Sequence, residues 1–306
     1  MTALLLLGLL VAGAWAYIRW AAYWVAHGVS AGWFIAGAPL AYVTPSVVLT
    51  ALWFAVAWIW RTPRPPQARL GIAGSVRLYI GEMLTLAASW PFLALHALIM
   101  RDPAPAPAQR PVILVHGVLI NDGIWFWFKR RLERLGIGPV YTVNYGPPLA
   151  GIESFAQQLA KKIDAVCAET GASKLVLIGH SMGGLVSRAY LRRFGGDRVA
   201  RLITIGTPHH GSILALSFPG RCLGEMCPRS GWLAELNRDE SRLPPVPVTS
   251  IWSRHDSMVI PQASAVLSCA DNVPVIGLGH NALLSDLDVI AIVRRSITSP
   301  RAASVY

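Results

Sequence analysis

The sequence predicts a protein of the α/β class, in which a mostly parallel sheet is covered by helices on both faces and follows an apolar N-terminal region. After residue 110, short apolar runs alternate with amphipathic stretches, which is typical of parallel strands connected by helices. The first 100 residues contain five arginines, one glutamate and no lysine or aspartate. Such a composition indicates a membrane-associated region rather than a soluble domain.

The α/β part is expected to contain six strands and four long helices. The strands are predicted at residues 112–116, 140–145, 174–179, 201–206, 248–253 and 273–277. The helices are predicted near residues 123–135, 151–169, 184–194 and 282–296. In the second helix, Ile152, Phe155 and Leu159 recur with the spacing of one buried helical face. No strand is evident before Pro111.

A serine lies where one of these strands turns into a helix. The residues Gly179-His180-Ser181-Met182-Gly183 follow an apolar run and precede a helical stretch. Glycine on both sides of Ser181 permits the strained, closely packed turn that exposes a nucleophilic hydroxyl above a sheet. The following helix directs its N-terminal amides toward an oxyanion that forms there. The pattern therefore predicts acyl transfer by a serine nucleophile.

A serine nucleophile needs a base, and the base needs an acid that fixes its tautomer. Asp256 follows the predicted strand 248–253, and His280 follows the predicted strand 273–277. Both are therefore expected at the carboxyl edge of the sheet, where open α/β sheets place their chemistry. The chain order Ser181, Asp256, His280 is one of the known orders of such triads.

Other histidines and aspartates fit these roles less well. His255 adjoins the chosen acid, whereas His209 and His210 precede it and break the chain order. Asp239 lies in a polar stretch typical of a solvated surface, and Asp271 precedes its strand. Asp256 and His280 therefore remain the predicted acid and base.

The tetrahedral intermediate needs amide donors, each of which contributes about 3 to 4 kcal/mol. The Met182 amide, directly after the nucleophile, is the first candidate. The second candidate is the Val118 amide, in the loop His116-Gly117-Val118 that follows the first strand. A histidine at a strand end is more often packed than functional, so His116 itself is not assigned a catalytic role.

With these motifs, residues 110 to 296 resemble the bacterial lipase and esterase branch of the α/β-hydrolase superfamily. The matching features are His116-Gly117, residues 179–184, residues 207–212, Asp256 with Val259 and Pro261, and His280. The resemblance implies an α/β-hydrolase fold with a mostly parallel sheet, here without the first two strands of the full sheet. It also implies a serine hydrolase, and it does not define the acyl or alcohol group. No cofactor is expected, and no cysteine–histidine spacing suggests a metal site.

An insertion of about residues 210–246 is expected within the catalytic domain, residues 105–306. Its apolar segment, residues 213–218, and Trp232-Leu233 either form a lid or acyl-binding wall or simply cover the core. Cys222 and Cys227 are close enough in sequence to form a disulfide in an oxidising compartment, or they remain free thiols.

The region of residues 1–104 is expected to anchor the protein in a membrane. Residues 4–26 and 38–60 are long and apolar enough to span a bilayer, with Arg19 reaching the interface or facing protein. A cleaved signal peptide is the alternative for the first segment, but no positive residue precedes it. Retained anchors are therefore favoured.

A third segment, residues 78–100, either spans the membrane or lies along its interface. It contains Glu82 and His96, which are expected to be helix-end or interfacial groups. The preceding loop, residues 61–77, has four arginines and is placed in the cytoplasm by the positive-inside rule. If the third segment crosses, the catalytic domain faces outward from a bacterial inner membrane, which is the favoured orientation. If it does not cross, the enzyme works at the cytoplasmic leaflet.

A net charge of +11 beside apolar anchors favours contact with anionic lipid headgroups and not with nucleic acid. The sequence thus predicts a membrane-anchored serine hydrolase that cleaves esters of lipid or other apolar acyl groups. A thioesterase or acyltransferase with the same triad is one alternative. A membrane interaction or transport component with an inactive hydrolase domain is another.

Overall fold

The computed structural model of the chain describes residues 2–240 and 244–298. An N-terminal group of helices is followed by a layered α/β domain whose first strand begins at Val112. The predicted catalytic domain, residues 105–306, and its insertion, residues 210–246, each include residues that lie outside the described ranges.

The described elements alternate along the chain as the sequence predicts. The helices are α1 Thr2–Ala26, α2 Ala31–Ile59, α3 Ile72–Ala94, α4 His96–Ile99, α5 Phe126–Arg134, α6 Ile152–Thr170, α7 Met182–Phe194, α8 Arg221–Met226, α9 Gly231–Leu236 and α10 Leu287–Thr298. The strands are β1 Val112–Val115, β2 Val140–Val143, β3 Leu175–His180, β4 Val199–Ile205, β5 Val248–Ser253 and β6 Asp271–Val275.

The strands form one parallel sheet with the order β2-β1-β3-β4-β5-β6. All six predicted strands are present, with ends shifted by two residues at most. No strand precedes β1 in the part of the chain that the structure describes. The prediction of a mostly parallel sheet that lacks two preceding strands is therefore confirmed.

Two hydrophobic clusters lie on opposite faces of this sheet. Alternate residues of β1 enter different clusters, because side chains on a strand point alternately to its two faces. Ile113 and Val115 pack with α6 and α7, whereas Val112 and Leu114 pack with α5 and α10. The sheet is thus buried on both faces, as expected for parallel strands.

The helix predicted at residues 282–296 begins later than expected. Residues Ala282–Leu284 form a short 3₁₀ turn, and α10 starts after it. Asp286 Oδ1 accepts hydrogen bonds from the amides of Asp288 and Val289, at 2.9 and 3.0 Å. This side-chain cap starts the helix at that point.

Among the described residues, α1 and α2 are the helices with the length and composition of membrane spans, with mean hydropathies of 1.7 and 1.8. The predicted start of α2 at residue 38 was wrong. Ser30 Oγ caps the helix by accepting a hydrogen bond from the Gly32 amide, so α2 begins at Ala31. Pro39 and Pro45 then lie inside it.

Helix α3 connects the apolar helices to the α/β domain. Tyr79 donates a hydrogen bond to the Val47 carbonyl on α2, at 2.7 Å. On its other side, the Leu93 carbonyl accepts a hydrogen bond from Asn121 Nδ2, at 2.8 Å. Glu82, expected at a helix end or interface, is fully buried in the middle of α3, so that expectation was wrong.

Candidate active site

Ser181 lies on a strained turn between β3 and α7. Its backbone angles are φ 56° and ψ −127°, which a non-glycine residue rarely adopts. Its amide donates a hydrogen bond to the Ile205 carbonyl, at 2.9 Å, so the neighbouring strand β4 supports the turn. The turn therefore has the geometry of a nucleophile elbow.

Two glycines after the serine are required by close packing. A Cβ at Gly183 would overlap the backbone carbonyl of Val115 on β1. A Cβ at Gly184 would overlap the side chain of Thr207. Helix α7 therefore approaches the ends of β1 and β4 more closely than a residue larger than glycine would allow at positions 183 and 184.

The structure brings the predicted acid and base together. His280 Nδ1 lies 3.0 Å from each carboxylate oxygen of Asp256. Asp256 Oδ1 also accepts hydrogen bonds from the amides of Met258 and Val259, both at 2.8 Å. Because an ionised carboxylate only accepts, the imidazole must carry its proton on Nδ1, which leaves Nε2 free to act as a base.

Both members of this pair are buried, with 1% of Asp256 and 2% of His280 exposed. Burial alone disfavours the charged imidazolium. The charge and hydrogen bond of Asp256, with a further contribution from Glu82, outweigh it and raise the pKa of His280 above its usual value. The imidazole of His280 is therefore more basic than that of an ordinary histidine.

A second buried histidine lies beside the base. His180 Nε2 donates a hydrogen bond to the His280 carbonyl, at 3.3 Å. Burial and the neighbouring His280 hold the pKa of His180 well below its usual value. His180 is therefore neutral, and it supports the backbone of the base.

Ser181 and His280 open into one cavity of about 500 Å³. The loop from Gly117 to Asn121 forms part of its wall. The volume falls within the range of about 300 to 1,000 Å³ that is usual for small-molecule sites. The predicted nucleophile and base therefore share a space in which a substrate can bind.

The predicted oxyanion donors are the amides of Met182, the first residue of α7, and of Val118, which lines the same cavity as Ser181. Among residues 2–240 and 244–298, neither amide donates to a backbone carbonyl. Leu119, next to Val118, has a positive φ of 58°, a strained conformation that sequence reasoning missed. A Cβ at Gly117 would lie 3.0 Å from Ser181 Cβ, so this loop contacts the nucleophile closely.

His116, at the start of the same loop, is a packed residue. Its ring stacks on Tyr145 with centroids 4.2 Å apart. Burial lowers the pKa of His116 to about 4, so the ring is neutral.

Each of the other candidate histidines has a partner of its own, and the two other candidate aspartates are exposed. His209 contacts Thr204 Oγ1 at 3.1 Å in the core, and His210 pairs with Glu240. His255 is buried and accepts a hydrogen bond from the Gly277 amide, at 3.2 Å. Asp239 is exposed, and Asp271 is the first residue of β6. No group of three or more His, Cys, Asp or Glu in the described part of the chain is arranged to hold a metal ion.

Comparison with known proteins supports the fold class. Residues 110–224 match the family described as alpha/beta hydrolase fold. The crystal structure of Aspergillus fumigatus lipase B aligns with a TM-score of 0.62 at 18% identity and covers 84% of this chain and 81% of that one. Mature Bacillus licheniformis lipase BlEst2 aligns with a TM-score of 0.57 at 18% identity, over 65% and 96% of the two chains. The chain therefore has the α/β-hydrolase fold, and residues 110–224 are similar in sequence to that family.

Two curated proteins are similar in sequence to part of this chain. The "Triacylglycerol lipase" of Pseudarthrobacter phenanthrenivorans is 39% identical over 122 residues, which cover 36% of each chain. The "Triacylglycerol lipase" of Vibrio cholerae is 30% identical over 143 residues, which cover 45% of this chain and 44% of the relative. The matches thus span less than half the length of these relatives.

The insertion of the hydrolase domain lines the cavity. It contains a 3₁₀ turn, Ile213–Ser217, followed by α8 and α9. Leu214 and Phe218 contribute to the cavity wall, and Phe218 is 53% exposed. Cys222 and Cys227 are free thiols, and Cys222 is buried.

Sequence reasoning missed one polar residue of this site, the buried Glu82. It lies next to the base, where its carboxylate accepts a hydrogen bond from the Asn281 amide. The available sequence signal was an isolated acidic residue within an otherwise apolar helix. A carboxylate that is removed from water needs hydrogen-bond donors supplied by the protein, so such a residue indicates a specific buried contact.

Proposed function

We propose that the protein is a membrane-anchored serine hydrolase that cleaves carboxylic esters of lipid or other apolar acyl groups. The observation that carries the proposal is the buried Asp256–His280 pair, whose base opens into the same cavity as Ser181 on its strained elbow. Such an arrangement activates a hydroxyl that is otherwise a poor nucleophile at neutral pH.

In this proposal, His280 Nε2 removes the proton of Ser181 as the hydroxyl oxygen attacks the ester carbonyl. Asp256 stabilises the resulting imidazolium, and the amides of Met182 and Val118 stabilise the oxyanion. The imidazolium then protonates the leaving alcohol, which leaves an acyl-enzyme on Ser181. Water, activated by the same base, releases the acid and regenerates the serine.

The residues that line the cavity favour an apolar acyl substrate. They belong to the hydrolase domain and also to the helices α1, α2 and α3. Leu6 of α1, Trp53 of α2 and Leu86 of α3 are examples of the apolar side chains that line it. Because α1 and α2 have the composition of membrane spans, an acyl chain in this cavity would contact the anchoring helices themselves.

We place the hydrolase domain on the cytoplasmic side of the membrane, in contrast to the outward orientation favoured from the sequence. The arginine-rich loop after α2 contacts this domain, since Arg64 Nε donates to the Arg254 carbonyl at 2.9 Å. The Thr62 amide donates to Gln262 Oε1 at 3.0 Å. The positive-inside rule assigns that loop to the cytoplasm, and the domain it contacts lies on the same side.

The proposed function is tested by treating the purified, detergent-solubilised full chain with a fluorophosphonate probe and mapping the modified residue by mass spectrometry. We expect modification at Ser181 together with turnover of p-nitrophenyl esters. Turnover of acyl thioesters alone would instead favour the thioesterase alternative. A folded protein that neither reacts with the probe nor hydrolyses any ester would support the inactive-domain alternative.

Shortening the cavity should change the preferred acyl chain length. Leu86→Trp adds an indole to the cavity wall on α3, so we expect kcat/KM for p-nitrophenyl palmitate to fall about tenfold or more relative to the butyrate. The matched control is Leu84→Trp on the same helix, because Leu84 is 51% exposed and does not line the cavity. An unchanged chain-length profile in Leu86→Trp would show that acyl chains bind elsewhere.

A further inference from the structure

The carboxylate of Glu82 lies between the two loops that contain the proposed acid and base. It accepts hydrogen bonds from the amides of Asn281 and Ala282 at 2.9 to 3.0 Å, and from Asn281 Nδ2 at 2.9 Å. It also accepts a hydrogen bond from Ser257 Oγ at 2.9 Å. Because all of these groups are neutral donors, they match an ionised carboxylate.

Ser257 links this carboxylate to the base. Its hydroxyl donates to Glu82 and accepts a hydrogen bond from the His280 amide, at 3.4 Å. Ser257 directly follows the acid Asp256, and Asn281 directly follows the base. One side chain of α3 therefore contacts the residue that follows the acid and the residue that follows the base.

The close approach of Glu82 depends on a glycine in the base loop. A Cβ at Gly279 would overlap the Glu82 carboxylate. The contact between Glu82 and this loop is therefore part of the buried packing of the fold. It is not a solvent-exposed ion pair, which would contribute little to stability.

The same helix also contacts the loop of the predicted oxyanion donor. The Leu93 carbonyl accepts a hydrogen bond from Asn121 Nδ2, and a Cβ at Gly123 would overlap the Phe92 carbonyl. Glu82 and Leu93 are about 16 Å apart along α3, since a helix rises about 1.5 Å per residue. Helix α3 thus contacts both sides of the cavity that contains Ser181.

We propose that Glu82 is a positioning residue for His280, so that a helix of the anchoring region completes the catalytic site of the hydrolase domain. The inference rests on the proposed function. Glu82 acts in two ways: its hydrogen bonds fix the backbone of the base, and its negative charge stabilises the imidazolium that forms as Ser181 is deprotonated. It touches neither the substrate nor the reacting atoms.

The charge makes the proposal testable through pH dependence. Within the described ranges of the chain, the titratable groups that face His280 are Asp256 after β5, Glu82 on α3 and His180 at the end of β3. Of these, Asp256 and Glu82 raise the pKa of His280 against the effect of burial. Because His280 must be neutral to act as a base, activity is lost as the pH falls through this pKa. Removing the Glu82 charge should therefore move the acid limb of kcat/KM to lower pH.

The experiment compares Glu82→Gln with the wild type, both as full chains in detergent, on a short soluble ester. Glutamine removes the charge and places an NH₂ group against other donors. We expect kcat to fall about 10- to 100-fold, the usual cost of small misplacements in an active site. KM should stay within about twofold, and the acid limb should move to lower pH. Wild-type kcat and an unshifted limb would overturn the proposal.

Two further variants separate positioning from packing. Thr85→Ala alters the same helix at its contact with Ser285 Oγ, 3.4 Å away, and should leave kcat and the pH profile unchanged. An equal loss of kcat in Thr85→Ala would assign the effect to helix packing and overturn the proposal.

Ser257→Ala removes the hydrogen bond to the His280 amide but keeps the Glu82 charge. We therefore expect kcat to fall without a shift of the acid limb of kcat/KM. If Glu82→Gln fails to fold, an unchanged kcat in Ser257→Ala would overturn the proposal.

Failure of the proposed function is distinguishable from failure of this inference. If the wild type hydrolyses no ester, the proposed function fails, and the pKa of His280 can still be measured by NMR of histidine-labelled protein. A lower pKa in Glu82→Gln than in the wild type would support the contact, and equal values would exclude it.

Discussion

Ser181→Ala is expected to lower kcat for ester hydrolysis by about 10⁶-fold, the order observed when the serine of a catalytic triad is removed. Alanine lacks the oxygen that forms the acyl-enzyme, whereas the elbow backbone and the Asp256–His280 pair remain. The loss should therefore appear in kcat and in fluorophosphonate labelling, with little change in thermal stability. Stopped assays on purified variant and wild type would measure it.

A matched control is available on α7, the helix that follows Ser181. Ser187 is a fully buried serine of α7 whose hydroxyl donates to the Gly183 carbonyl, at 2.8 Å. Ser187→Ala should cost some stability, since it removes one buried hydrogen bond, but should keep labelling and hydrolysis. Residual activity above about 1% in Ser181→Ala would identify a different nucleophile.

Asp256→Asn is expected to lower kcat by about 10⁴-fold, the effect of this change in a well-studied triad. The asparagine oxygen can still accept from the amides of Met258 and Val259, so the loop should keep its shape. Its NH₂ group would face His280 Nδ1, however, and the imidazole would then carry its proton on Nε2. In that tautomer the ring cannot accept the proton of Ser181.

The control for this change is Asp286→Asn. Asp286 also caps backbone amides, those of Asp288 and Val289, but it lies at the start of α10 and does not contact His280. We expect Asp286→Asn to keep wild-type kcat. A value of kcat in Asp256→Asn within tenfold of the wild type would mean that another acid orients the base.

The parts of the site that could be predicted are those encoded over short stretches of sequence. The elbow around Ser181 is visible because a strand, a strained turn and a helix follow one another within a few residues. Gly183 and Gly184 are visible for the same reason, although the partners that require them, Val115 and Thr207, become known only from the folded structure.

The acid and base were predicted from their positions after two strands. In a parallel sheet, residues that follow neighbouring strands lie at the same edge, so Asp256 after β5 and His280 after β6 are expected to be close. The 3.0 Å contact between them agrees with that reasoning. Glu82 could not be found in this way, because it lies on a helix and meets Asn281 across 199 residues of chain.

Local patterns in the sequence predict the fold class, the strand positions and the candidates for nucleophile, acid and base, because apolar periodicity and turn residues act over short stretches. The folded structure is needed to show that α3 packs against the α/β domain, that Glu82 contacts the base loop and that α1 to α3 line the cavity beside Ser181. These contacts depend on long-range packing of apolar surfaces. A buried carboxylate becomes favourable there only after distant backbone amides have been brought around it.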